Sequence, residues 1–479
     1  MAPERYDAVV VGSGPNGLAA AITLARAGRS VVLFEAAPTL GGGMRSAELT
    51  LPGVVHDVCS AIHPLARASP FFTSLPLEHH DLEWVEPPIQ VGHPLDDGPP
   101  VLVRRDLSAT AASLGRDAAA YRVLVGPLVR RWDSLVADVL APFHLPLRPD
   151  RTLTLGWFGL LALQPASWLA RWFSGRRARA LLAGCAAHSI LRLTEPASGA
   201  SGLIFLAAAH AAGWPMPRGG SARLADALAA VLATAGGRIV TGRRITRLSD
   251  LPPHDVALLD VAPRDLLSIA GSRLGGGYAR RLRRYRHGPG AFKIDLVLDG
   301  PIPWRDPELA GAGTVHVGGT FEEIAAAEAQ VHDGRIPERP FVLLAQPTLF
   351  DESRAPAGRH VVWAYCHVPN GSHVDMADRI VGQIERFAPG VRDRIIASHS
   401  MGPAELEAHD ANYVGGDIAG GRQDLGQLFT RPAVRLDPYT TPDPAIFLCS
   451  AATPPGGGVH GMCGYHAARS ALRRVFGPT

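Results

Sequence analysis

The stretch from Tyr6 to Arg45, YDAVVVGSGPNGLAAAITLARAGRSVVLFEAAPTLGGGMR, decides the fold. Ala8 to Val11 is an uninterrupted apolar run, the pattern of a parallel strand buried on both faces. Gly12-Ser-Gly14-Pro15-Asn16-Gly17 follows directly, and an alanine- and leucine-rich helical pattern then runs to Gly28, a helix stop. A second apolar strand, Ser30 to Phe34, ends at Glu35. The spacing has a chemical reason. Gly12 permits a tight turn, Gly14 lets backbone N–H groups approach a pyrophosphate, and Gly17 lets helix and strand pack closely. Pro15 and Asn16 belong to the same turn and join the expected contact set. Glu35, 18 residues past Gly17, stands where a carboxylate accepts hydrogen bonds from a ribose diol and repels a 2′-phosphate. Strand, glycines, helix, strand and acid in this order specify a dinucleotide site, and the acid argues against NADP.

The residues beyond Glu35 say which dinucleotide. Leu40-Gly-Gly42-Gly43-Met-Arg45 is a second glycine turn with an arginine, suited to holding a longer, bent cofactor such as FAD. At the other end of the chain, Ile446 to Ala468 reads as strand, glycine loop and helix. Ser450, Ala451, Gly457, Gly458, Val459 and Gly461 are its expected contacts. A chain that opens and closes on such turns can wrap one FAD from both ends, with the last helix's N–H groups facing the negative charge of the reduced ring.

These residues carry a resemblance. GSGPNG…E…GGGMR and the closing CSAATPPGGGVHGMCGYHAA resemble the bacterial-type phytoene desaturase family. That flavoprotein superfamily includes carotenoid isomerase, retinol saturase and a mitochondrial-type branch of pyridine nucleotide-disulphide oxidoreductase domain-containing proteins. WPMPRGGS from Trp214 and Val414-Gly-Gly-Asp417…Gln427-Leu-Phe-Thr-Arg-Pro432 are most similar to the last branch. The resemblance implies an α/β, amine-oxidase-like architecture: a Rossmann-type FAD-binding domain, a discontinuous mixed-sheet substrate domain and a helical cap. The expected division gives 1–100, 215–288 and 441–479 to the FAD domain. It gives 101–214 and 289–440 to the substrate domain, with 106–200 as the cap. The resemblance also implies non-covalent FAD, backbone contact to adenine near Ile245, and a place near the flavin for His63.

Composition is that of a globular chain. It has 479 residues, 47% hydrophobic and 19% charged, with a net charge of +3, which implies no nucleic-acid or acidic partner. Of 47 basic residues, 46 are arginine and only Lys293 is lysine. The strand Gly290 to Leu298 alternates Phe292, Ile294, Leu296 and Leu298 against Lys293, Asp295 and Val297. It resembles the amine-oxidase strand whose lysine holds a water against flavin N5, so Lys293 is expected at the flavin or substrate. A compact ammonium that shifts its pKa is something a guanidinium cannot imitate.

Five cysteines without a CxxC support neither zinc nor a redox pair, and no metal is expected. Asp106 to Leu140 has helical periodicity, Asp106 as N-cap and a break or kink at Pro127. Short strands are expected over Leu82–Val85 and Arg244–Leu248. Residues 151–179 combine tryptophans, leucines and arginines. They form either a cap helix or an interfacial helix touching a membrane, but not a transmembrane span. The protein is expected in the cytoplasm, without a signal peptide. No second GxGxxG lies between a strand and a helix, which speaks against a separate NAD(P)H domain.

The expected activity is FAD-dependent hydride removal from an apolar isoprenoid, polyene or lipid-like small molecule. The alternatives are a non-redox double-bond isomerase, an amine-oxidase-like enzyme, or a flavin-binding regulatory protein without turnover. Oligomeric state is not legible.

Overall fold

The computed structural model of the chain describes residues 5–143 and 149–477. In chain order the main strands begin as β1 (Tyr6–Val11), β2 (Val31–Phe34), β3 (Ile89–His93), β4 (Val101–Val103), β5 (Arg238–Val240) and β6 (His254–Leu259). They continue as β7 (Gly290–Leu298), β8 (Ala312–Val317), β9 (Val342–Ala345), β10 (His360–Val368), β11 (Ile395–Met401) and β12 (Ile446–Leu448). One sheet is parallel and five-stranded, in the order β12-β6-β1-β2-β5. The other is mixed and seven-stranded, in the order β11-β7-β10-β9-β8-β3-β4, with β8 and β3 its parallel pair.

The parallel sheet begins and ends the chain. Its central strand β1 is almost wholly buried, as its apolar run requires. Helices α1 (Pro15–Arg26), α2 (Ala222–Thr234) and α3 (Met462–Ala471) cover one face, and helices over Pro263–Ala270 and Gly275–Arg283 cover the other. Two glycines make the close approach of α1 possible. A Cβ on Gly17 would lie 2.0 Å from the Gly12 carbonyl oxygen, and one on Gly464 would lie 1.7 Å from that of Asn16. Both contacts are backbone, so no side chain can move aside.

The same core continues into a layer of helices that includes Ala118–Arg130, Pro149–Ala162, Arg176–Ala187 and Ser198–Ala211. Asp106 caps the first helix of this layer, its carboxylate accepting from Ala109 N–H at 2.7 Å. The period-two alternation of β7 holds: Phe292, Ile294, Leu296 and Leu298 all enter the core between the mixed sheet and the helix Ala377–Phe387.

Four local expectations need correction. Ile89–His93 lies within 1–100, yet it pairs with β8 and β4 in the mixed sheet, where all five residues are buried. Residues 244–248 form no strand, because the Asp250 carboxylate takes the N–H groups of Thr246 and Arg247 that a ladder would use. The strand expected over Leu82–Val85 shrinks to Trp84–Val85, paired with Met216–Pro217. Pro127 does not end its helix, which continues to Arg130. The hydrogen bond that proline forfeits falls at Val123 on the solvent side, 53% exposed, where the freed carbonyl costs little.

Candidate active site

The carboxyl ends of β1, β2 and β6 meet where the glycine turn begins, the usual ligand position of an open parallel sheet. Gly12, at φ +101°, makes the turn against the Asp260 carbonyl. Glu35 is buried and fully engaged. One carboxylate oxygen accepts from Ser13 N–H and Oγ–H (2.9 and 2.6 Å), and the other from Ala37 N–H and Arg45 Nη2 (2.8 and 3.1 Å). Arg45 also reaches the carbonyls of Thr39 and His409, so it braces the second glycine turn.

A cavity of about 280 Å³ opens at this point, lined at its near end by Gly14, Pro15, Asn16 and Gly43 and from the C-terminal loop by Ser450, Ala451, Gly458 and Val459. The two ends of the chain therefore face one space. The cavity runs on between the mixed sheet and the helical layer, where Phe205, Trp214, Leu343, Trp363 and Tyr365 form its walls. Of the other expected contacts, Ile245, Gly457 and Gly461 are not among the residues that line the cavity. Ile245 is buried in the core beside Val11 and Phe34. A Cβ on Gly457 would strike the Ala419 carbonyl at 2.5 Å, and one on Gly461 would strike Phe72 at 2.8 Å.

His63 lines the cavity, buried, with Nε2 2.8 Å from Ser221 Oγ. That hydroxyl donates to the Ser60 carbonyl, so it accepts a proton from His63 Nε2. Burial above all lowers the imidazole's pKa to about 4, so it stays neutral. Ser221 N–H is held by Asp57, which forms a buried ion pair with Arg354.

Lys293 is also buried, but it is not among the cavity-lining residues. Its Nζ pairs with Asp295 on the same face of β7, and the other Asp295 oxygen lies 3.4 Å from His56 Nδ1. Cys59, which feels the Lys293 charge, stands on the cavity wall. Among the described residues no group of three or more His, Cys, Asp or Glu side chains can hold a metal ion.

Sequence reading missed two acids. Asp260, at the end of β6, accepts from Gly17 N–H at 2.8 Å and lies 3.0 Å from where a Cβ on Gly14 would be. Burial chiefly, with Asp410 and Glu35 adding, raises its carboxyl to about 7. Asp410 Oδ2 lies 3.2 Å from a Cβ position on Gly42, and the Tyr413 hydroxyl occupies the Cβ position of Gly43. The position of Asp260 one residue beyond an apolar parallel strand was the available signal. Trp363, Tyr365 and His367 were likewise signalled by their period-two spacing on β10.

The residues fit a dinucleotide. The turns present glycines where a Cβ would intrude, and Asn16 Oδ1 is buried at the turn without a hydrogen-bond partner.

Comparison with known proteins agrees with this geometry. The NAD(P)-binding Rossmann-like domain family matches residues 10–75. The rat pyridine nucleotide-disulfide oxidoreductase domain-containing protein 2 is 27% identical over 99% of this chain and 94% of its own. A Streptomyces griseus phytoene dehydrogenase is 27% identical over 86% of this chain and 80% of its own. In fold, the chain is similar to wild-type putrescine oxidase bound to putrescine, with a TM-score of 0.61 and 16% identity, covering 98% of this chain and 100% of that one.

Proposed function

We propose, for a chain that belongs to the phytoene desaturase-type oxidoreductase superfamily as a full-length homologue of its pyridine nucleotide-disulfide oxidoreductase domain-containing branch, that it is an FAD-dependent oxidoreductase acting on an apolar small molecule. One observation carries this reading: a single cavity joins the glycine turns from both ends of the chain to a chamber walled by Phe205, Trp214, Leu343 and Trp363. Gly14, Asn16, Gly43 and Gly458 would hold the cofactor, and Glu35 would take the ribose diol by exchanging one of its four present donors. Bound non-covalently, FAD would supply a hydride acceptor at N5. The chain's own residues exclude water with aromatic walls, and orient the substrate. His63 is too weakly basic to compete for protons, so it holds its neutral form beside the turn through Ser221. Lys293 steadies the wall behind Cys59 through its pairing with Asp295. Protein purified without added cofactor should be yellow, release FAD on denaturation, and bleach anaerobically with substrate. Colourless protein that refuses FAD and instead binds NADH would overturn the reading.

The helical layer has a second feature. Among the described residues no single helix is long and apolar enough to cross a membrane, and the pair Arg151–Ala162 and Ala166–Trp172 is bent by 99°. Leu153, Trp157 and Leu160 follow helical spacing on one face and are 73%, 36% and 68% exposed, with Trp168 and Trp172 exposed nearby. Arg171 and Arg176 are exposed beside them. This arrangement supports peripheral contact with an anionic lipid surface. The protein should float with phosphatidylglycerol-containing vesicles and less with pure phosphatidylcholine. L153E/L160E should abolish flotation while leaving flavin content unchanged, and wild-type protein that stays unbound on both would remove the membrane role.

A further inference from the structure

The far end of the cavity is built differently from its walls. Three polar side chains line it: His188 from the end of the helix Arg176–Ala187, Tyr365 from β10, and Thr314 from β8, whose Oγ1 accepts from Trp214 Nε1 at 2.8 Å. His188 Nε2 lies 2.9 Å from Nε2 of His316, a wholly buried residue of β8. One of these nitrogens donates and the other accepts. His316 Nδ1 is buried without a hydrogen-bond partner among the described residues, and a buried N–H left unmatched is the costlier choice. His316 therefore carries its proton on Nε2 and donates it. His188 accepts at Nε2, which places its own proton on Nδ1, a nitrogen for which no protein acceptor is found among the described residues. The Tyr365 hydroxyl also has no described protein hydrogen bond. Burial lowers the His188 imidazole to about 3 and that of His316 well below its usual range, so both rings stay uncharged.

The charges around this end complete the argument. The cavity lining includes no arginine or lysine among the described residues, and its two acids, Asp260 and Asp410, belong to the dinucleotide end. Glu328 is close by but buried, with both oxygens on His367 Nδ1 at 2.9 and 3.0 Å. A carboxylate substrate would meet no cation here, and an ammonium would meet no free anion.

We infer that the far end of the cavity binds a neutral hydrogen-bonding oxygen, an alcohol or a carbonyl, at one end of a long apolar substrate, with His188 donating to it and Tyr365 beside it. This rests on the reading of the cavity as the substrate chamber, and it narrows the substrate class from apolar molecules in general to those with one uncharged oxygen at an end. His188 is a specificity residue in this scheme.

The test uses three fluorescent polyenes of one chain length, cis-parinaryl alcohol, cis-parinaric acid and the corresponding hydrocarbon, titrated into the purified protein while flavin content is read from absorbance in the same sample. The alcohol should bind about tenfold tighter than the other two. H188L should bring the alcohol down to the hydrocarbon's affinity without changing the latter. H188Q should recover part of the preference, and Y365F should lose a smaller part of it. A carboxylate preference, failure of the alcohol to bind, or an H188L loss equal for alcohol and hydrocarbon would overturn the inference. A colourless protein that still prefers the alcohol would overturn the flavin reading and leave this one standing. A flavin-bearing protein indifferent to the end group would do the reverse.

Discussion

The two ends of the cavity are built on opposite plans. At the end lined by the glycine turns the groups proposed for recognition are mainly backbone, where glycine makes room for N–H groups, with Asn16 and Glu35 beside them. At the far end they are side chains, His188, Thr314, Leu343, Trp363 and Tyr365, drawn from helices and strands far apart in sequence. A backbone site depends on a few consecutive residues and fails abruptly when one of them gains a Cβ. A side-chain site is assembled by packing, so it can change one contact at a time and alter its ligand without losing its fold.

The largest effect should come from the buried ion pair beneath the wall between these ends. K293M takes from the fully buried Asp295 its ammonium partner and leaves it only His56 Nδ1 at 3.4 Å, which should cost about 3–5 kcal/mol in chemical denaturation. K293M/D295L should recover most of that. If the stable double variant turns over normally, Lys293 only supports the wall; if it is stable and inactive, the lysine acts on substrate or cofactor, and the backbone plan is incomplete.

G17A comes next. The added carbon meets a backbone oxygen at 2.0 Å, so α1 must shift off β1, with an expected loss of about 3 kcal/mol and of bound flavin together. Retention of flavin would show that the turn tolerates a side chain, and the contrast between the two ends would fail.

Asp260 gives a pH-dependent test. Its carboxyl, raised to about 7, stays protonated in the folded chain while the unfolded chain ionises it near 4. The stability it contributes is complete below the unfolded value and is lost as pH rises through about 7. D260N should therefore flatten the fall in melting temperature between these limits. Ionised Asp260, set against the phosphates of a bound dinucleotide, should also weaken FAD binding by about tenfold per pH unit above that point in the wild type, and not in D260N. Equal pH slopes in the two proteins would remove Asp260 from the cofactor end.

The smallest effect belongs to the helical layer. D106A removes the cap on Ala109 N–H and should cost about 1 kcal/mol while leaving flavin content unchanged. Loss of flavin would couple that layer to the dinucleotide end more tightly than the shared core requires.

How much was legible follows from the same distinction. The turn geometry around Gly12, Gly14, Gly17, Glu35 and Gly43 was legible because the motif is local, and that around Gly458 and Val459 because the closing loop repeats the strand–glycine–helix order. Gly457 and Gly461 matched the motif yet face Ala419 and Phe72, because a glycine left for packing looks the same in sequence as one left for a ligand. Ile89–His93 was placed with its sequence neighbours, although its partner strand lies more than two hundred residues further on. Asp260 and Asp410 approach the same turn from different segments, and nothing local announces that they converge.

By itself the sequence determined a parallel Rossmann-like sheet, the glycine turns at both ends of the chain and the acid that closes the second strand, since each depends on neighbours a few residues apart and on backbone geometry that only glycine allows. Tertiary structure alone decided that Lys293 pairs with Asp295 behind the wall, that Asp260 and Asp410 both face the opening glycine turns, and that His316 turns the His188 proton toward the chamber. Those outcomes depend on which groups burial brings together and leaves without water, and that is a property of the packed chain.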